Sequence, residues 1–396
     1  MNILILRSSF QTDEFVEKEY AELLRRLRNE CQAEITIVGD EQVETVFTPS
    51  SQQPDYVMIA TGGVENLFKR IMPQTGNLIA DGRNNSLAAA LEILTYLEGQ
   101  GKEGKIIHGT NDEIIKAVCT SPLLSGLRIG LFGQPSDWLI ASGVDRDYLL
   151  EHYGVESIDI DLQRLIDGIK SVSQIEAVKV AQAIVKRSLD TIEPSCADMV
   201  EAAKAYLAIK KICQEERLDA MTIRCFDIVK SCGTTSCLAL ALLNDEGIVA
   251  GCEGDMQTLM SMLLAKRLCN EEAFMANPSN LTDHSAMLAH CTIPLNMCDD
   301  ITIRSHFESG IGVAIQGVLP LTDYTIFKWG GPKLDRYFVT EAKAVEAPYS
   351  NHFCRTQITL NVDLRPYLLH NSIGNHHVVI PGKHAEEIKR FMDAVF

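Results

Sequence analysis

With 396 residues the chain exceeds the size at which a single hydrophobic core keeps growing, so two or three domains are expected. Its 46% apolar content is ordinary for a globular protein, and no apolar run approaches the roughly 18 residues that would read as a membrane span. A formal charge of −17 argues against nucleic acid as a partner, because a polyanion needs a basic face; small neutral ligands or cations are the compatible class.

The N-terminal string Met1-Asn2-Ile3-Leu4-Ile5-Leu6-Arg7 reads as a buried strand and lacks the basic start and cleavage site of a signal peptide. A charged helix follows over 13–31, then a strand over 33–38 and another over 56–60 running into Thr61-Gly62-Gly63. Leu78-Ile79-Ala80 leads through Asp81-Gly82-Arg83-Asn84-Asn85-Ser86 into an Ala/Leu-rich helix. This alternation predicts a parallel sheet wrapped by helices, with ligands at the carboxyl ends of its strands. No GxGxxG string follows the first strand, so the glycines read as turn residues rather than a dinucleotide fingerprint.

Ser121-Pro122-Leu123-Leu124-Ser125-Gly126 marks a boundary, after which Leu127 to Gly133 forms a new strand running into Gln134-Pro135-Ser136-Asp137-Trp138. Helices are predicted over about 160–217, a strand at 220–224 and a helix over 236–244. From Asp300 the pattern changes to short alternating segments at 301–304, 312–315, 324–329 and 355–360, then a closing helix over 385–395. The expected architecture is therefore α/β: two parallel-sheet α/β domains at 1–125 and 126–298, followed by a β-rich, barrel-like domain at 299–396. The twelve cysteines, several in apolar runs and none in a CxxC pair, fit reduced core thiols in a cytoplasm.

Three strings carry candidate chemistry. Gly251-Cys252-Glu253-Gly254-Asp255 sits between an apolar strand and a Met/Leu-rich helix, where a carboxylate is either an active group or the helix cap. His290 lies in Leu288-Ala289-His290-Cys291, and Gly374-Asn375-His376-His377 brings two more imidazoles, whose side chains should point to opposite faces of a strand. Eight of the ten histidines lie at or after position 284. A carboxylate with two imidazoles is a donor set for a divalent metal. Ser136, Asp137 and Trp138 after one strand, and Lys328, Trp329 and Arg336 around the Gly330-Gly331-Pro332 turn, are candidate sugar contacts, with an N-cap, a core tryptophan and a surface hairpin as the plain alternatives.

The order and surroundings of these strings resemble the L-arabinose/L-fucose isomerase superfamily. Cys252-Glu253-Gly254-Asp255 is similar to the family's Glu-Gly-Asp segment, whose glutamate is metal ligand and acid/base. Leu288-Ala289-His290 resembles its Gly-Ala-His segment, and Gly374-Asn375-His376-His377 its C-terminal His-His segment. The resemblance implies a sugar ketol isomerase working on a pentose or 6-deoxyhexose through an enediol, a divalent metal, Mn²⁺, held by Glu253, His290 and one of His376 and His377, and a homo-oligomer. One string departs from the family. Its second carboxylate falls in Phe-Met-Glu-Asp, where this chain reads Phe274-Met275-Ala276-Asn277. Asn277 keeps a carbonyl oxygen for a metal but cannot act as a base. Asp255 or a metal-bound hydroxide is the expected substitute acid/base. Without one, the alternative is a non-catalytic sugar-binding or regulatory protein on the same scaffold.

Overall fold

The first sheet is made of Asn2–Leu6 (β1), Glu34–Val38 (β2), Tyr56–Ile59 (β3), Asn77–Ile79 (β4) and Lys105–Ile107 (β5), and in β1 and β3 successive side chains alternate between two apolar clusters, whereas edge strand β2 exposes Glu34 and Thr36. Ile3, Ile5, Tyr56 and Met58 enter one, and Leu4, Leu6, Val57 and Ile59 the other. A strand buried on both faces belongs in a parallel sheet with helices on each side, and the strands pair in the order β2-β1-β3-β4-β5. The structure, a computed structural model, describes residues 1–31, 33–42, 53–120 and 123–395. Apart from the last two residues the chain divides into two units, 1–123 and 124–394.

The helix expected over 13–31 breaks into Asp13–Glu19 and Ala21–Glu30 at Tyr20, which leaves helical geometry at φ −106° and ψ 16°. The break turns the Tyr20 hydroxyl to donate 2.6 Å to the Ala60 carbonyl. Burial pushes that phenol up to about 12. Cys31, at the end of the second piece, is disulfide-bonded, which corrects the expectation of thiols throughout; among the described residues ten other cysteines keep their thiols.

The second unit opens with a parallel sheet of Arg128–Phe132 (β6), Glu156–Ile160 (β7), Ala220–Ile223 (β9) and Val249–Cys252 (β10), ordered β10-β9-β6-β7. Asp190–Thr191 (β8) lies outside it, joined to Asp300–Arg304 (β13) and Ala314–Val318 (β14) in a three-stranded sheet. Phe274–Leu281 (β11), Ala286–His290 (β12), Asp323–Gly330 (β15), Arg336–Glu346 (β16), Thr356–Asn361 (β17) and His377–Pro381 (β18) pair antiparallel into a closed barrel, β11-β12-β17-β16-β15-β18. Phe274, Ala276, Leu288, Ile326, Ala344, Ile358 and Val379, drawn from all six strands, share one apolar cluster. The anticipated α/β class with a β-rich barrel is thus the architecture found. The barrel takes its first strand at Phe274, ahead of residue 299, because a short apolar run does not reveal which sheet it joins. Among the described residues no helix is long and apolar enough to cross a membrane.

At the end of β13, Arg304 donates through Nε to both oxygens of the Glu193 carboxylate, at 2.9 and 2.8 Å, and through Nη2 to one of them, and the Ser305 N–H adds a further bond at 3.1 Å. Hydrogen bonding to Arg304 holds Glu193 at about 2 against an ordinary 4.5, although burial opposes it. A carboxyl whose folded pKa is depressed stabilises the fold fully above its unfolded value and loses that contribution as pH falls through its folded value. Glu193→Gln should therefore lower the urea midpoint at neutral pH, and the gap from the parent should close as pH is taken from 4.5 towards 2. A gap of constant size would exclude the ion pair as its source.

Candidate active site

β10 enters the helix Met256–Leu264 through a turn that holds two consecutive left-handed residues, Glu253 at φ 63° and Gly254 at φ 75°. Glycine is required at the second, since a Cβ there would lie 2.6 Å from Pro135 Cα. At the first, a non-glycine residue costs of the order of 1–3 kcal/mol, strain that concentrates at functional positions. The turn is pinned by the Ser136 N–H, which donates 2.9 Å to the Glu253 carbonyl. Asp255 caps the helix, accepting from Thr258 N–H at 2.9 Å and Thr258 Oγ1 at 2.7 Å. The loops after β6, β9 and β10 all leave the carboxyl ends of parallel strands, the usual ligand edge of such sheets.

Two imidazoles from the barrel face the Glu253 carboxylate. His290 ends β12 with Nε2 3.8 Å from Glu253 Oε1, and His376, immediately before β18, brings Nε2 to 3.6 Å. One ligand atom from each of the three residues lies within 4.8 Å of the others. His376 Nδ1 donates 2.9 Å to Asp255 Oδ2, which leaves Nε2 aimed at Glu253 and His290. That Nε2 is buried with no hydrogen-bond partner, an expensive condition for a polar atom unless something else engages it. A carboxylate that orients a histidine through Nδ1 is the common outer support of a metal-ligating imidazole. Burial raises the Glu253 carboxyl, but His290 and His376 outweigh it and hold the group well below the usual range. Burial likewise opposes charge on His376, yet Asp255 and Glu253 push it up. The pocket attracts positive charge, and its donor set fits a divalent cation held by Glu253, His290 and His376.

An aromatic wall runs beside this cluster. Trp138 Nε1 donates 2.6 Å to Glu253 Oε2, its ring meets Phe226 edge-on at 5.1 Å, and Phe226 meets His306 at 5.5 Å. Burial, with the nearby His290, pushes His306 down to about 4. Glu308, an exposed residue on the loop between β13 and β14, is pushed up by partial loss of solvent and by the charge of Glu253, against the opposing influence of His290. Ser136 Oγ is buried without a partner. Removing the indole N–H should be costly: Trp138→Phe keeps an aromatic, though smaller, side chain but loses a bond to a charged group, worth roughly 1.5–3 kcal/mol. Turnover should fall about 10- to 100-fold with unchanged circular dichroism; an unaltered kcat would show that the bond does not orient Glu253.

Of the residues singled out from the sequence, Glu253, His290, His376, Ser136 and Trp138 come together here. Others do not. Asp255, expected as an acid/base, is fully buried and committed to Thr258, His376 and Lys328. His377 turns away from the cluster: Nε2 meets the Tyr367 hydroxyl at 2.9 Å and Nδ1 the Asn375 carbonyl at 3.1 Å. Asn277 Oδ1 accepts from Asn375 Nδ2 at 3.2 Å. Asp137 is exposed and paired with Arg224. Lys328 and Trp329, expected to flank a sugar-facing turn, are fully buried. Lys328 lies beneath the site, 3.7 Å from Asp255, and the Trp329 indole donates to the Leu334 carbonyl. Arg336 is exposed and donates 3.4 Å to the Asn371 carbonyl. Sequence reasoning missed Phe226, His306 and Glu308; only the crowding of histidines into the second half of the chain hinted at His306.

No family model matches the chain. It is 22% identical to the sulfoquinovose isomerase of Alkalicoccus urumqiensis over 326 residues, 77% of this chain and 73% of the relative. Sulfoquinovose isomerases of Priestia aryabhattai and Priestia megaterium are each 24% identical over 285 residues, 68% of this chain. The chain spans 64% of the length of those two relatives, just under two thirds.

Proposed function

We propose that this distant relative of proteins named sulfoquinovose isomerase, an enzyme of the intramolecular oxidoreductase class, is a metal-dependent aldose–ketose isomerase of a small sugar. The observation that carries the reading is the convergence of Glu253, His290 and the unpartnered Nε2 of His376 at the carboxyl ends of a parallel sheet. A divalent cation, Mn²⁺ in this reading, would polarise the carbonyl and adjacent hydroxyl of the open-chain sugar.

The protein's own groups then have separate tasks. Glu253 is oriented by Trp138, and it takes the proton from C2 of the aldose. The electron pair released moves toward the carbonyl, giving an enediol, and the proton returns at C1. Glu308 supplies the carboxyl that Ala276 and Asn277 lack. Its pKa is displaced upward, so it is suited to hold a proton, pass it to O1 as the enediol forms and take up the one that leaves O2 as the ketose carbonyl forms. The Trp138 and Phe226 rings offer an apolar face to the ring carbons of a sugar.

The test is solvent exchange in ²H₂O with Mn²⁺, using a pentose, a 6-deoxyhexose and sulfoquinovose. Deuterium should appear at C2 of recovered aldose or C1 of ketose with at least one of them. Glu308→Gln should lower the exchange rate by about 10²-fold or more. Absence of exchange with all three, alongside calorimetric binding of any, would replace the isomerase reading with that of a sugar-binding protein.

A further inference from the structure

The helix Met256–Leu264 does not end in an ordinary cap. It widens into a π-type turn, Ala265–Cys269, that stops at the left-handed Asn270. Such turns are uncommon and recur at functional positions. Its last side chain, Cys269, comes beside His384 and Glu387 at the start of the C-terminal helix Ala385–Val395, and one ligand atom from each of the three residues lies within 4.8 Å of the others.

The histidine of this group is held in one orientation by its surroundings. Its backbone N–H donates 2.8 Å to Thr325 Oγ1. Its ring Nε2 lies 2.9 Å from the Pro381 carbonyl, and a carbonyl only accepts, so Nε2 carries the proton. The ring packs where Gly382, at φ 88°, has no side chain; a Cβ there would approach Nε2 to 3.0 Å. Nδ1 is thereby pointed at Glu387 Oε2, 3.7 Å away. In the neutral ring Nδ1 carries the lone pair, and it faces the same space as the carboxylate oxygen, as two ligands of one cation do. Donation from the second ring nitrogen to a backbone carbonyl is the arrangement that fixes the tautomer of a metal-binding histidine.

We propose that Cys269, His384 and Glu387 form a second metal site, for Zn²⁺, with water completing a tetrahedron. Thiolate, imidazole and carboxylate together are a zinc donor set, chemically distinct from the thiol-free group of Glu253, His290 and His376. The ion would fasten the end of the π-type turn to the first turn of the C-terminal helix, and the site is independent of the isomerase reading.

Co²⁺ titration of the full chain tests this directly, because a thiolate ligand gives a charge-transfer band in the near ultraviolet that a site made of Glu253, His290 and His376 cannot give. The band should appear, be displaced by Zn²⁺, and vanish in Cys269→Ser. Glu387→Gln, a mild change at a half-exposed side chain, should weaken Co²⁺ binding by more than the roughly 10- to 100-fold expected for loss of an outer hydrogen-bonding partner. Zn²⁺ should also raise the Tm of the parent and not of Cys269→Ser. A missing band, or one that persists in Cys269→Ser, would overturn the proposal.

Discussion

Glu253→Gln should reduce kcat by about 10²- to 10⁴-fold, the range associated with loss of a positioned acid/base group. The substitution preserves shape, and the amide oxygen can still accept from the Trp138 indole, so the turn after β10 should survive. What disappears is the negative charge that His290 and His376 face at 3.8 and 3.6 Å. Cation affinity should fall with it, since only the two imidazoles of the group remain. The two effects separate by experiment: kinetics at saturating Mn²⁺ report proton transfer, and calorimetry on metal-stripped protein reports ligation. Undiminished turnover in Glu253→Gln at saturating metal would eliminate Glu253 as the base. Retained turnover at high Mn²⁺ with weakened binding would leave it as a ligand alone.

The second large effect should come from Lys328→Met. Lys328 and Asp255 are both wholly buried, with Nζ 3.7 Å from Oδ2, and the ammonium also donates 2.6 Å to Thr258 Oγ1. Removing one member of a buried pair strands the other charge, at a cost of about 3–5 kcal/mol. Urea unfolding at neutral pH should show a loss of that size. Burial pushes Asp255 up, while Lys328, His376 and the Thr258 N–H hold it well below the normal carboxylate range. A depressed folded pKa stabilises above the unfolded value and ceases to do so as pH falls through the folded one. With Lys328 gone the depression shrinks, so acid unfolding of the variant should begin at a higher pH than in the parent. Adding Asp255→Asn should recover part of the lost stability, because the stranded charge is then gone; strictly additive losses would show that the two groups are not coupled.

What the sequence disclosed follows from how far apart the interacting residues lie. The alternation of strand and helix up to residue 120, and again to Cys252, is a local pattern and could be read locally. So could the placement of Glu253 at a strand-to-helix junction and the rule that adjacent His376 and His377 cannot face the same way. Which histidine turns inward depends on Asp255 and Tyr367, partners contributed by other elements. Lys328 was the plainest failure. A lysine beside Trp329 and a Gly-Gly-Pro turn reads as a surface hairpin, and complete burial of lysine is rare without a partner; that partner, Asp255, lies on a different layer. β11 and β12 were hidden for the same reason, since their pairing with β18 and β17 is made across long stretches of chain. Phe226, His306 and Glu308 sit in no recognisable string and become neighbours of the site only through packing.

The three groups that converge on the candidate cation position come from two kinds of sheet, Glu253 from the end of a parallel strand and His290 and His376 from the antiparallel barrel. Neither layer can assemble the position alone. A ligand bound there acts as a tether between layers whose own hydrogen-bond ladders never cross, and its binding energy enters the unfolding of residues 124–394 as a mass-action gain that grows with ligand concentration. Folding and loading of such a site would be one equilibrium, the ion adding to the contacts, such as Ser261 to Trp329, that already join the barrel to the helix after β10.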